Sequence, residues 1–198
     1  MNHNKHVEYS YEHMVYAIAR IQQSAIMLQT IIHSDFVDKP LINHIREVTY
    51  RELFVDLYLL FDKSNKHLSL ERLLKDNKNK INNSIFVKAS KAFTMIQEDY
   101  EHEIEIINYV GNAIIRHIDK DKMDIIYGSK LVGQYGLDLV KIYELTKEVL
   151  KVLKNINIFN KNIFDSFNEI ISVDQIIDIL NLNIDDNRLN LLYKNFSY

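Results

Sequence analysis

The chain contains no cysteine, so disulfide frameworks, thiolate metal sites and thiol nucleophiles are excluded by composition. It has one proline and four glycines in 198 residues, well below the usual usage of about 5% and 7%. Helix-breaking residues are scarce, and long helices are the expectation. No apolar run approaches the roughly 20 residues that span a bilayer. The opening segment, MNHNKHVEYSYEH, has no basic-then-apolar leader pattern. A cytoplasmic protein without membrane contact is therefore expected. A strong charge bias is also missing: the net charge is -3 and the pI is near 6.2. Such a field does not favour avid nonspecific nucleic-acid binding, so any RNA contact must be local.

What is present is helical periodicity. Met14, Ile18, Ile21, Ala25, Leu28 and Ile32 alternate steps of four and three and predict a long first helix with one apolar face. Asp35 to Pro40 breaks it, and the proline suits the first turn of a second helix starting near Leu41. That helix ends in LFVDLYLLFD, apolar on every side over 53–61 except at Asp56, as expected of the helix that the others surround. Residues 63–80 read as a basic loop carrying one short helical piece, SLERLLK, capped by Ser69. From Ser84, read as an N-cap, apolar residues keep helical steps through Phe93, Ile104 and Ile114 to Ile118, predicting the longest helix. Gly111 lies inside it, where a glycine costs about 1 kcal/mol relative to alanine and points to a bend or a close approach. A further helix is marked by Tyr135, Leu139, Ile142, Thr146, Val149 and Leu153. Ser172-x-x-Gln175 is a capping-box pattern, and Asp185 or Asp186 can start a last helix through Phe196. The expected fold is all-α: an up-and-down bundle of four to five long helices over residues 1–160, with short C-terminal helices over 161–198 packed on it.

The segment NYVGNAIIRHIDKDK, residues 108–122, sets an amide, a guanidinium, an imidazole and a carboxylate close together. On a helix Asn112 and Arg116 share a face, and His117 is turned about 100° from Arg116. A neutral histidine takes up a proton near pH 7, and an arginine holds phosphate through a fixed fork of donors. That combination suits metal-free RNA cleavage, in which histidine activates the ribose 2′-hydroxyl or protonates the leaving oxygen. The plainer reading of His117 is a surface histidine followed by solvated charges, Asp119 to Lys122. For Asn112 it is a cap or a helix-bending polar residue.

VGNAIIRHIDKDK, together with LYLLFDKS at 57–64 and LSLERLLKD at 68–76, resembles the HEPN superfamily, and particularly its abortive-infection, AbiU-like branch. The resemblance covers the middle of the chain. It implies a homodimeric, metal-independent and cofactor-free endoribonuclease, often a toxin or antiphage effector, in which two protomers pack their motifs into one cleft. Asn112 falls at the family's polar position and His117 at its histidine. The motif arginine is replaced by Gly111, which opens the alternative of a catalytically inactive relative that binds RNA, an antitoxin or another defence protein.

Other candidates are weaker in chemistry. Asp99 and His102 form a carboxylate-histidine pair at i, i+3, but a di-metal bundle needs a second such pair that the chain lacks. No metal site is therefore expected. Asp56, among apolar neighbours, needs a partner if buried, with Arg20, Arg46 and Arg51 available and a structural ion pair favoured. Lys63, Lys66, Arg72 and Lys75, joined by Lys120 and Lys122 after the histidine, are the candidate contacts to RNA phosphates, set against the plainer role of solubility. Tyr16, Tyr58, Tyr100 and Tyr135 lie on helical stripes and are expected in the core or an interface.

Overall fold

The computed structural model describes residues 3–35, 39–61, 69–79, 81–116, 137–156 and 172–196, with only the backbone of 3–10 and 111–116. Among these residues there are eight helices and no strand: α1 (His3–Ile32), α2 (Pro40–Phe61), α3 (Leu70–Asn77), α4 (Asn83–Asp99), α5 (Glu101–Arg116), α6 (Leu139–Asn155), α7 (Val173–Leu180) and α8 (Asp186–Asn195). The protein is an all-α helical bundle.

The first stripe packs as its spacing dictates. Met14, Ile18, Ile21, Ala25 and Leu28 are buried and Ile32 is half-buried. Two side-chain contacts fix how α2 lies on α1. Arg20 pairs with Asp56, and the Thr49 hydroxyl lies beside the Met27 sulfur, so the numbering rises on one helix as it falls on the other and the two are antiparallel. Helix α6 is antiparallel to α1 in the same way. The Tyr11 hydroxyl donates to the Leu153 carbonyl (2.9 Å), and the Gln22 amide donates to the Thr146 hydroxyl (3.3 Å). Both bonds are buried, which satisfies polar groups that would otherwise be costly to desolvate.

The second half of α2 is enclosed as expected: Leu53, Phe54, Leu57, Tyr58, Leu60 and Phe61 are buried. It is α1, however, that touches the larger set of neighbours, α2, α3, α6 and α7, whereas α2 packs on α1, α3 and α5. Length explains the difference, since α1 is 30 residues long and α2 is 22.

The single long helix expected from Ser84 to Ile118 is two helices. Helical bonding runs through Gly111 to Arg116, and the interruption falls at Tyr100, with φ -119° and ψ 27°. No glycine or proline marks the place, and the apolar period continues across it. The partner changes instead: α4 lies on α3 and α6, whereas α5 lies on α2. Glu101 and Glu103 then occupy the first turn of α5, where carboxylates favour the positive end of the helix dipole. The start of α4 also shifts, because Asn82 rather than Ser84 is the N-cap, its side chain accepting from the Ser84 backbone N–H at 2.9 Å.

The caps read from sequence at Ser69, Ser172 and Asp185 are formed, and the capping box of Ser172 and Gln175 is reciprocal. Helices α7 and α8 build a second apolar cluster with the far half of α1, in which Val173, Ile176, Leu192 and Phe196 meet Ala25, Ile26 and Ile31. The ring of Phe196 stands edge-on to Tyr143 of α6, at 5.1 Å between centroids. Arg188 of α8 donates to the His33 carbonyl and pairs with Asp35. Asn181 closes α7 in the left-handed region, φ 49°, a conformation asparagine tolerates at helix ends. The boundary expected at 160 lies outside the described residues.

Candidate functional site

Helix α5 carries the residues singled out for RNA chemistry. Its buried line runs through Glu103, Ile107 and Val110, and its exposed line through His102, Glu105 and Tyr109. By helical register positions 112 and 116 fall in line with one another, four residues apart on the backbone of α5. Position 111 is in register with the buried Ile104. Five positions separate it from Arg116, which is about 140° around the helix and about 7.5 Å along it. Because α5 continues unbroken through Gly111, Arg116 does not stand where an arginine at 111 would stand. His117, Lys120 and Lys122 lie outside the described residues.

The expected basic surface is mostly neutralised where it is described. Arg72 pairs with Asp76 (3.4 Å) and Lys75 with Glu71 (2.6 Å), both four residues apart on α3. The ammonium of Lys78 lies over the Phe86 ring at 5.8 Å. Lys63 and Lys66 lie outside the described residues. Asp99 and His102 fall on opposite sides of the Tyr100 interruption, and both are exposed. Among the described residues no group of three or more histidine and carboxylate side chains is placed to hold a metal ion.

The protein has no matching family model, curated protein or solved structure. What its surfaces can do must be read from their geometry alone.

Described side chains line clefts on the bundle surface, two of which hold charged groups. One, of about 610 Å³, runs between α1 and α2 over the Arg20–Asp56 pair. Arg20 grips Asp56 with two donors, Nε to Oδ2 at 2.8 Å and Nη2 to Oδ1 at 2.6 Å. The hydrogen bond to Asp56 raises the arginine's pKa, against a smaller opposing effect of burial. Asp56 is thus the buried, paired carboxylate that its apolar setting required, and Arg20 is the partner. Gln23, Ser24, Val48, Arg51 and Glu52 are among the residues that line it. Gln23, Ser24 and Val48 belong to no motif of the sequence and reach this cleft through the packing of α1 on α2.

The other cleft, about 690 Å³, separates α4 from α6. At its end Lys141 donates to Glu103 at 2.9 Å. Burial pushes the Glu103 carboxyl up, but the hydrogen bond from Lys141 and its own backbone outweigh burial and hold it below the ordinary range. Tyr100 faces this cleft, and its phenol is raised by burial and then by Glu148 and Glu144. An ionised tyrosine is disfavoured there, and the side chain packs against the core. Of the other tyrosines, Tyr58 is buried as expected, Tyr16 is 48% exposed and so not a core residue, and Tyr135 lies outside the described residues.

Proposed function

We propose that this chain is a HEPN-like protein that acts on RNA as a homodimer, using Asn112 and Arg116 of α5 and His117, the next residue in the sequence. The observation that carries the reading is the resemblance of residues 110–122, supported by a helix whose backbone runs through positions 112 and 116. In the reaction the 2′-oxygen attacks phosphorus and the bond to the 5′-oxygen breaks. His117 takes the 2′ proton or returns one to the leaving oxygen, and Arg116 and Asn112 donate to the phosphate oxygens. No metal ion takes part, and the biological setting the resemblance implies is a toxin or antiphage effector.

A second reading is favoured by Gly111 and by the unbroken course of α5. With no cation at 111 and Arg116 on another side of the helix, the domain is retained as a catalytically inactive dimer that binds RNA or a protein such as an antitoxin. Labelled RNA incubated with purified protein in EDTA separates the two. Cleavage that disappears in His117→Ala supports the nuclease. Absence of cleavage with salt-sensitive RNA retention supports the binder. Gly111→Arg sharpens the test, because position 111 is helical and arginine favours helix more than glycine does, with circular dichroism to establish that the variant folds. Nuclease activity gained by that variant assigns the loss to one missing cation.

A further inference from the structure

The α1–α2 cleft holds an arginine whose position is fixed. Nε and Nη2 of Arg20 are bound by the two oxygens of Asp56, whose side chain is 10% exposed where that of Arg20 is 57% exposed. The remaining nitrogen, Nη1, has no hydrogen-bond partner among the described residues, and Arg20 lines the cleft. A buried ion pair contributes little more stability than apolar side chains of the same volume would. What this one adds is position, because a planar guanidinium held along one edge presents its other donors in a set direction.

The cleft is graded along its length. Arg20 and Asp56 mark one end and the Met27–Thr49 contact the other, which is about 10 Å of helix. After the bond to Asp56, the charge of Glu52 also raises the pKa of Arg20, which sets Glu52 at the charged end. The opposite end is apolar, with Met27 half-buried and Val48 42% exposed. The charges of the lining balance, Arg20 and Arg51 against Asp56 and Glu52. Arg51 and Glu52 are exposed, and neither forms an ion pair or a side-chain hydrogen bond among the described residues. The volume of about 610 Å³ falls within the roughly 300–1,000 Å³ of small-molecule sites. A simple anion in this cleft would meet Glu52, and a simple cation would meet two arginines. A ligand that carries both charges at one end and an apolar body at the other satisfies every group.

We propose that the α1–α2 cleft binds a free amino acid with a long apolar side chain, its carboxylate on Arg20 and Arg51, its ammonium on Glu52 and its side chain against Met27 and Val48. This site stands apart from the RNA reading, because none of these residues belongs to α5. Isothermal titration calorimetry of the full chain with L-leucine, L-phenylalanine, leucinamide and N-acetyl-leucine tests it, with circular dichroism to establish that each variant folds. L-leucine or L-phenylalanine should bind saturably at one site per chain. Leucinamide lacks the carboxylate and N-acetyl-leucine lacks the ammonium, and each should bind at least about tenfold more weakly than L-leucine, the loss expected for one charged contact. Arg51→Gln should weaken L-leucine and leave leucinamide unchanged. Glu52→Gln should weaken L-leucine by about tenfold and abolish its advantage over N-acetyl-leucine, a selective change that general damage to the cleft would not produce. The proposal is overturned if neither amino acid saturates, if L-leucine and its two derivatives bind alike, or if Glu52→Gln leaves the preference for the free ammonium intact.

Discussion

Replacing Arg20 by alanine should cost more stability than replacing Asp56 by leucine, although each change removes the same ion pair. The asymmetry lies in burial: the Asp56 side chain is 10% exposed and that of Arg20 is 57% exposed. Without the guanidinium, a carboxylate on the inner part of α2 loses two charge-assisted bonds, of 2.6 and 2.8 Å, and gains little water. A hydrogen bond to a charged group contributes about 1.5–3 kcal/mol net, and breaking a fully buried ion pair from one side costs about 3–5 kcal/mol. Because the arginine is more than half in solvent, the second figure is an upper bound, and about 2–3 kcal/mol is expected for Arg20→Ala. In Asp56→Leu the guanidinium turns to water and the new side chain meets apolar neighbours, so the change should stay within about 1 kcal/mol. For a domain of this size 1 kcal/mol moves Tm by about 2–4 °C, which puts Arg20→Ala about 4–12 °C below the wild type and Asp56→Leu within about 4 °C of it. Urea unfolding and thermal melts followed by circular dichroism measure both. Equal losses, or a larger loss in Asp56→Leu, would refute the argument from burial.

Three further outcomes follow from the packing. Leu57→Ala, at a fully buried position of α2, should cost about 2–5 kcal/mol in the same unfolding assay; a cost under 1 kcal/mol would mean that α2 is not enclosed there. Ser172→Ala breaks a reciprocal capping box and should cost about 1 kcal/mol, read as faster amide exchange in α7 without loss of the bundle. His33 is held below its usual range by burial and then by Arg188, against a smaller upward pull from Asp185. The folded protein therefore takes up this proton at lower pH than the unfolded chain does. The stability contributed by neutral His33 is present above its ordinary value of 6.5 and is lost as pH falls from there toward the folded value. His33→Gln should flatten the dependence of Tm on pH in that window, and an unchanged slope would assign it to other groups.

Most of the fold was legible because burial imposes a period that a sequence displays. The stripe from Met14 to Leu28 and the row Leu139, Ile142, Thr146, Val149 and Leu153 both reach the core. The capping residues were readable for the same reason, being local hydrogen bonds written in local sequence. The interruption at Tyr100 was not, because it follows from a change of packing partner and leaves the apolar steps at Ile96, Tyr100 and Ile104 undisturbed. Tyr16 stays out of the core because an aromatic on a helical stripe can stand at its edge, where one face packs and the other meets water. The α5 chemistry rests on side-chain types, and Gly111 pointed to a bend or a close approach, whereas the helix does not break there. A glycine tolerates helix at about 1 kcal/mol, and the flanking apolar residues of α5 packed on α2 supply more than that.

The far half of α1 is covered by residues about 150 positions later in the chain, with the Asp35 backbone N–H donating to the Asn183 carbonyl and Arg188 reaching back to Asp35. During synthesis the first helix leaves the ribosome long before its cover exists. Ala25, Ile26 and Ile31 must wait, greasy side outward, until Leu192 and Phe196 have been made. Contacts so distant along the chain slow folding and lengthen the interval in which a nascent chain can stick to its neighbours, so the last helix is the step on which a high yield of native protein turns.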